Sequence, residues 1–362
     1  MKKQYLLTPG PAPVPEEVAK VMAEPIIHHR TPQYREIARG VNENLKKIFK
    51  TKNNVLTFTS SGSGAMEASV INTLSKNDTA IVVRGGKFGE RFAEICAAYG
   101  VKVVAIDIEW GTAPEPSLID EMLKKHEGAK AVFIQLCETS TATVYDVKAI
   151  GEVVKKTDAI LVVDAISGLG ADNMETDKWG VDIAIGGSQK AFMIPPGLAF
   201  CAVSEKAWSL AKKAALPRFY YDFNKYNKLV GEGDSPWTPA ISLVLGLGKA
   251  LSMITEVGVD NFIKRHEEDA RFVRKSVKNM GLGLFSKFPS DAVTAVKTPE
   301  GVDAGNIIKA LKSKGITLAG GQAGLKGKIF RIAHMGAITR EDLEYALSVL
   351  KEDINAGKNI NK

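Results

Sequence analysis

Cysteine is scarce in this chain of 362 residues. Only Cys96, Cys137 and Cys201 occur, and they are widely spaced and odd in number. This excludes a framework of disulfides and any zinc or iron–sulfur site built on several cysteines, and we expect no metal. A chain with so few cysteines is typical of a reducing compartment, so we expect a cytoplasmic protein. Because each cysteine lies in or beside an apolar run, we expect the thiols to be buried and structural.

Long apolar runs and blocks of like charge are also missing. The longest apolar run, residues 239–248, is too short to span a bilayer. Lys2 and Lys3 are followed by a proline-rich stretch, which excludes the apolar segment of a signal peptide. The net charge of +7 is spread along the chain without a run of five or six basic residues. We therefore expect no membrane partner and no nucleic-acid partner.

What the chain does contain is an alternation of short Val/Ile-rich runs with segments of helical period. This alternation predicts parallel strands joined by crossover helices, in a three-layer α/β arrangement. The runs are almost continuously apolar, which is typical of strands covered on both faces. The predicted strands are residues 55–58, 80–83, 101–105, 131–136, 160–163 and 183–185, and the predicted helices between them include 65–74, 88–98, 117–125 and 147–155.

The pattern changes after residue 256. A long charged helix at 261–280 precedes short strands near 294–296, 316–318 and 329–333 and a closing helix at 340–351. We expect an N-terminal arm (1–20), a large domain (21–256) and a smaller α+β domain (257–362). The proline-rich stretch 8–15 is predicted to be extended and to lie against its own chain or a partner's.

Three motifs carry the chemistry. SSGSGAME (60–67) follows a strand and opens a helix, so its N–H groups can hold a phosphate, although a simple helix cap explains it equally well. ILVVD (160–164) ends a buried strand with Asp164, where open α/β sheets bind ligands; a capping aspartate is the alternative. GGSQKAFMIPPG (186–197) places Lys190 in a rigid loop, where desolvation would make its amine nucleophilic.

Taken together, the three motifs match the needs of pyridoxal 5′-phosphate. This cofactor needs an anchor for its phosphate, an acidic partner for its ring nitrogen and a lysine that bonds to its aldehyde. With the loop CETSTATVYD (137–146), the sequence resembles the class V aminotransferases, in particular the alanine/serine–glyoxylate (serine–pyruvate) group. The resemblance extends from LLTPGPAPVPEEV near the N-terminus to IFRIAHMGAITREDLEYAL near the C-terminus. It implies the fold of type I pyridoxal-phosphate transferases.

The resemblance also implies roles for individual residues. Lys190 and Asp164 are the catalytic pair, and Arg331 binds the substrate carboxylate near Gly10. Thr238 contacts the cofactor of the other subunit in a homodimer with shared active sites. The remaining residues implied to bind the cofactor are Ser63, Gly64, Ala65, Phe88, Thr139, Ile166 and Gln189. The chain departs from the family at Ala142, often glycine, at Ala65, often bulkier or polar, and at Phe88, commonly tryptophan.

The expected function is transamination between alanine or serine and a 2-oxo acid, glyoxylate or pyruvate. His29 and Arg30 resemble a phosphate-binding element of phosphoserine aminotransferases, so phosphoserine or aspartate is an alternative donor. A cysteine desulfurase would need a nucleophilic cysteine late in the chain, and none follows Cys201. A non-catalytic role, as in sequences labelled small subunit of soluble hydrogenase, is opposed by the presence of Lys190, Asp164 and Arg331 together.

Overall fold

The computed structural model describes residues 3–360 and contains fifteen strands and twelve α-helices in that range. The strands are β1 (Tyr5–Leu6), β2 (Val55–Ser60), β3 (Thr79–Arg84), β4 (Lys102–Asp107), β5 (Ala129–Gln135), β6 (Cys137–Glu138), β7 (Thr143–Val144), β8 (Ile160–Asp164), β9 (Ile183–Gly187), β10 (Gly197–Val203), β11 (Gly283–Leu284), β12 (Val293–Lys297), β13 (Ile316–Thr317), β14 (Ala319–Gly320) and β15 (Ile329–Ala333). The helices are α1 (Glu16–Met22), α2 (Pro32–Phe49), α3 (Gly62–Thr73), α4 (Lys87–Ala98), α5 (Pro116–Lys125), α6 (Val147–Val154), α7 (Glu205–Ala211), α8 (Phe223–Val230), α9 (Ile241–Val257), α10 (Val259–Asn279), α11 (Ala304–Ser313) and α12 (Arg340–Ile360).

The central layer is a seven-stranded sheet with the strand order β2-β10-β9-β8-β5-β3-β4. The six predicted strands are all present in it. Its seventh strand, β10, was not predicted and runs antiparallel to both of its neighbours. The sheet is therefore mixed but mostly parallel, and the predicted α/β fold class is confirmed.

Both faces of the sheet are covered, as the continuous apolar runs predicted. Along β3, Ile81 and Val83 pack into one core while Ala80 and Val82 pack into the other. Side chains of a strand alternate between its two faces, so both faces must be apolar. The helices that cover them begin and end close to the predicted positions.

The C-terminal part contains the predicted long helix, α10, and a four-stranded antiparallel sheet in the order β11-β12-β15-β14. The predicted strand at 316–318 is divided into two short strands. Its first part, β13, pairs in parallel with β1 of the N-terminal arm instead of joining the small sheet. The closing helix, α12, extends nine residues beyond the predicted end at residue 351.

The proline-rich arm lies against its own chain. The Ala12 N–H donates to the Gln189 carbonyl at 2.9 Å, and the Ala333 N–H donates to the Leu7 carbonyl at 2.9 Å. The arm therefore links the lysine loop of the large sheet to β15 of the small sheet. Among the described residues, no single helix is both long and apolar enough to cross a bilayer, although the bent pair α9 and α10 meets that criterion by length and composition together.

Candidate active site

Asp164 and Lys190 lie at the same edge of the large sheet. Asp164 is the last residue of β8, and Lys190 follows the end of the neighbouring strand β9. The two strands are parallel, so their carboxyl ends meet at one edge, which is where open α/β sheets bind ligands. Both side chains are buried, with 4% and 8% exposure.

The environment of Lys190 favours a neutral amine. Burial lowers its pKa to about 8, and the charges of Arg331 and Arg91 act in the same direction, while Cys137 and Asp164 oppose them. The Lys190 amine donates a hydrogen bond to the Pro9 carbonyl of the arm. A lysine held this way supplies a usable nucleophile near neutral pH.

The pKa of Asp164 is shifted in the opposite direction from that of Lys190. Burial raises its pKa to about 7, and Glu138 adds to this rise; the Ile166 N–H, which donates to Asp164 Oδ1 at 3.0 Å, opposes it together with Lys190 and Arg91. Because the carboxylate is buried, the protonated ring nitrogen of a bound cofactor would be a favourable partner for it.

The segment predicted to bind a phosphate, residues 60–67, forms the end of β2 and the first turn of α3. The N–H groups of Gly62 and Ser63 have no recorded hydrogen-bond partner among the described residues, whereas the Gly64 N–H already donates to the Ser61 carbonyl at 2.9 Å. Ala65 is fully buried one residue further on. A Cβ on Gly64 would lie 2.7 Å from Ser60 Oγ, so this position requires glycine. Gly62 was not among the predicted residues.

Phe88 lies half-buried in the first turn of α4, and Glu138 holds that turn. Glu138 is fully buried and accepts from the N–H groups of Phe88 at 3.0 Å and Gly89 at 3.1 Å. Its second oxygen accepts from the N–H of Ser140 at 3.1 Å and from the Ser140 hydroxyl at 2.5 Å. Glu138 therefore caps α4 from the end of β6 and sets the position of Phe88. The sequence analysis missed this role.

Arg331, on β15 of the small sheet, contacts the loop that follows Glu138. Its Nη1 donates to the Thr139 carbonyl at 2.9 Å, and its Nε and Nη2 donate to the Gly320 carbonyl at 3.1 and 2.8 Å. Thr139 Oγ1 donates to Ser167 Oγ at 2.6 Å. Ala142, in the same loop, has a φ of 57°, in the left-handed region that favours glycine, which accounts for the glycine often found there in the family.

Three more of the predicted residues surround Lys190. Gly10 has a φ of 118°, and a Cβ there would collide with the end of the Lys190 side chain. Ile166 packs against Gly62. Gln189 has a buried side-chain oxygen without a hydrogen-bond partner among the described residues, and both side-chain polar atoms of Gln135, at the end of β5, are in the same condition.

The remaining candidates lie away from this cluster. Thr238 is exposed on the single chain. Arg30 pairs with Asp234, with 2.6 Å between Nη1 and Oδ1, and this carboxylate also receives Arg35. His28 and His29 are stacked with their ring centroids 4.6 Å apart. The Arg30 guanidinium is thus engaged by a carboxylate, which weakens the phosphate-binding alternative for this element.

Fold and site together define a lysine-dependent α/β enzyme of the pyridoxal-phosphate type. The family model of the class V aminotransferases matches residues 4–345. The chain is 37% identical over 345 residues to a serine–glyoxylate aminotransferase of Hyphomicrobium methylovorum, covering 92% of this chain and 85% of that one. It is 41% identical over 355 residues to a soluble hydrogenase small subunit of Synechococcus, covering 96% and 92%. An aspartate aminotransferase of subgroup IV from Thermus thermophilus superposes with a TM-score of 0.91 at 32% identity, covering 97% and 99%.

The chain therefore belongs to the class V aminotransferases, and the predicted family is confirmed. The three cysteines are free and buried, as expected.

The lowered pKa of Lys190 leads to a prediction for the cofactor-free protein. Only a neutral amine is acylated by acetic anhydride, so acetylation of Lys190 in competition with a reference amine should rise with pH around a midpoint near 8, well below the usual lysine value of about 10.4. The measurement is peptide mapping across a pH series. In Asp164→Asn the midpoint should fall, because the carboxylate favours the charged amine. The surface variant Asp120→Asn should leave this midpoint unchanged. A midpoint near 10.4 would contradict the described environment.

Proposed function

We propose that this aminotransferase binds pyridoxal 5′-phosphate through Lys190 and transfers the amino group of alanine or serine to glyoxylate or pyruvate. The observation that carries the proposal is the pairing at one sheet edge of a buried lysine, with its pKa lowered to about 8, and a buried carboxylate. The similarity to a serine–glyoxylate aminotransferase supports the choice of substrates.

The residues present fit this cofactor. The Gly62 and Ser63 N–H groups can receive its phosphate, since Gly64 leaves the first turn of α3 without a side chain in the way. The partnerless oxygen of Gln189 and the amide of Gln135 are polar atoms that a bound polar group would satisfy. Phe88 and Ile166 provide apolar surface on which an aromatic ring can pack.

When bound, the cofactor supplies an aldehyde that carries the amino group and an aromatic ring that accepts the electron pair of the substrate Cα–H bond. Lys190 would hold the cofactor at rest and, with its amine free and neutral, would take the proton from the substrate Cα and deliver it to the cofactor. Asp164 would keep the ring nitrogen of the cofactor protonated by pairing its carboxylate with it. Glu138 keeps the first turn of α4, and with it Phe88, in place.

Arg331 is suited to bind the carboxylate shared by all of these substrates. A guanidinium has five N–H donors. Three of the Arg331 donors go to backbone carbonyls, which leaves one on each terminal nitrogen for a carboxylate. The two backbone contacts fix the plane of the guanidinium before substrate arrives, so little side-chain entropy is lost on binding.

Two competing functions have less support. A desulfurase needs an accessible thiolate, but burial raises the pKa of Cys96 to about 12 and also raises the pKa of Cys137 and Cys201. The relative called a hydrogenase small subunit leaves a non-catalytic role to be tested, and the presence of the complete lysine, aspartate and arginine set argues for catalysis.

Borohydride reduction of the cofactor-loaded protein should attach the cofactor permanently to Lys190, because this amine is the neutral nucleophile of the site. Peptide mapping by mass spectrometry identifies the labelled residue. Lys190→Ala should remain unlabelled. A label on another lysine of the wild-type chain, or none at all, would overturn the assignment.

Arg331→Lys should lower kcat/KM about 10- to 150-fold for alanine and serine, because the charge remains but paired hydrogen bonds to a carboxylate are lost. The assay is a panel of amino donors against glyoxylate, pyruvate and 2-oxoglutarate. The exposed Arg271→Lys serves as the control and should leave the rates unchanged. A wild-type preference for phosphoserine or aspartate by orders of magnitude would replace the proposed donors.

We also propose a homodimer whose subunits share active sites, with Thr238 reaching the partner's cofactor. Thr238 follows Trp237, which stacks on Tyr220 with 5.8 Å between centroids, and Phe219 beside them is 68% exposed. An exposed aromatic cluster of this kind is typical of an interface.

Sedimentation should therefore give at least twice the chain mass of 39.0 kDa. Phe219→Ser should shift the equilibrium toward monomer with loss of activity, because the apolar contact is removed. Val257→Ser, at a second exposed apolar position (59%), is the matched control and should keep the dimer. An active monomer at the assay concentration contradicts the proposal.

A further inference from the structure

Arg91 is a half-buried cation in the site that no predicted role accounts for. It lies on α4 one turn after Phe88, and its Cζ is 4.8 Å from the centre of the Phe88 ring. Its Nη1 donates to Ser63 Oγ at 3.1 Å. The guanidinium therefore lies between the residue expected to cover the cofactor ring and the first turn of α3.

Among the described residues, no carboxylate contacts the Arg91 guanidinium. Three other half-buried arginines, Arg35, Arg274 and Arg340, each have a carboxylate oxygen within 3.0 Å. Arg91 forms no ion pair with any residue in the described range 3–360. The buried Glu138 already accepts from four donors of the α4 turn and its own loop, and Asp164 interacts with the Arg91 charge without an ion pair between them. A half-buried guanidinium without an anionic partner is costly unless a ligand supplies the anion.

The groups around Arg91 are arranged to receive that anion. Ser63 accepts from Arg91 through its oxygen, so its hydroxyl hydrogen stays available to donate elsewhere. The N–H groups of Gly62 and Ser63 are unpartnered on the same turn, and the positive end of α3 favours negative charge there. Backbone donors, a hydroxyl and a guanidinium together form a site for a doubly charged oxyanion.

We propose that Arg91 is a further cofactor-binding residue, whose guanidinium binds the phosphate of pyridoxal 5′-phosphate together with Ser63 and the first turn of α3. This inference rests on the proposed function. It adds a full positive charge to a cradle otherwise made of neutral donors. It also gives α4 two functions, since Phe88 covers the ring and Arg91, three residues later on the same face, holds the phosphate.

The test compares two ligands that differ only in the phosphate. Apoprotein is titrated with pyridoxal 5′-phosphate and with pyridoxal, and binding is followed by absorbance. In Arg91→Gln the dissociation constant for pyridoxal 5′-phosphate should rise about tenfold or more, as expected for loss of a hydrogen bond to a charged group. The constant for pyridoxal should change less than about threefold. Arg91→Lys keeps the charge and should lie between Arg91→Gln and the wild type.

Arg271→Gln is the matched control. This exposed arginine on α10 undergoes the same change of charge and should leave both constants unaltered. Equal weakening of both ligands in Arg91→Gln would show that Arg91 only supports the packing of α3 on α4, and would overturn the inference. Unchanged cofactor binding with a raised KM for aspartate alone would assign Arg91 to a substrate carboxylate, and would overturn it as well.

The proposed function fails by a different result. If wild-type apoprotein bound neither ligand and borohydride labelled no lysine, both proposals would fall. If Lys190 is labelled normally in Arg91→Gln at saturating cofactor while the affinity is lost, the catalytic assignment stands and the role of Arg91 is confirmed.

Discussion

Everything in this site depends on keeping one primary amine out of water without leaving it charged. Lys190 is buried at the edge of the large sheet, and a charged ammonium there would lose its hydration. Burial itself is the main reason that the pKa of the amine is lowered; Arg331 and Arg91 also favour the neutral form, while Cys137 and Asp164 oppose them. The fold serves this balance, since β8 and β9 bring the carboxylate and the lysine loop together while β15 adds an arginine from the other sheet.

The second organising element is the hairpin formed by β6, β7 and the loop between them, which touches both ends of the site. Its Glu138 caps the helix that contains Phe88 and Arg91, and its Thr139 carbonyl accepts a hydrogen bond from Arg331. A displacement of this loop would therefore move Phe88 and Arg91, which are proposed to bind the cofactor, together with Arg331, which is proposed to bind the substrate. Because the loop is fully buried, such a displacement would also leave unpaired polar groups, and this makes it rigid.

The sequence allowed the prediction of those parts of the structure that depend on local pattern. Asp164 and Lys190 stand out because each follows a continuous apolar run, and the ends of neighbouring parallel strands coincide. The antiparallel strand β10 was missed, because an apolar run carries no sign of its direction in a sheet. Glu138 lies within a motif that was quoted and Arg91 lies three residues after the predicted Phe88, but their partners are distant: Glu138 binds N–H groups some fifty residues earlier, and Arg91 reaches back to Ser63. Contacts of this kind arise only from the packing of helices on a finished sheet.

The N-terminal arm completes the argument, because it closes the site around the lysine. Pro9 accepts the hydrogen bond of the Lys190 amine, Gly10 leaves room for the lysine chain where any side chain would collide, and Ala12 pairs with the Gln189 backbone. A lysine bonded to a cofactor can no longer donate to Pro9 as a free amine does. The Pro9 carbonyl therefore provides a hydrogen-bond acceptor for the amine when it is free, and the arm that carries this carbonyl is tied at one end to β13 and at the other to the lysine loop.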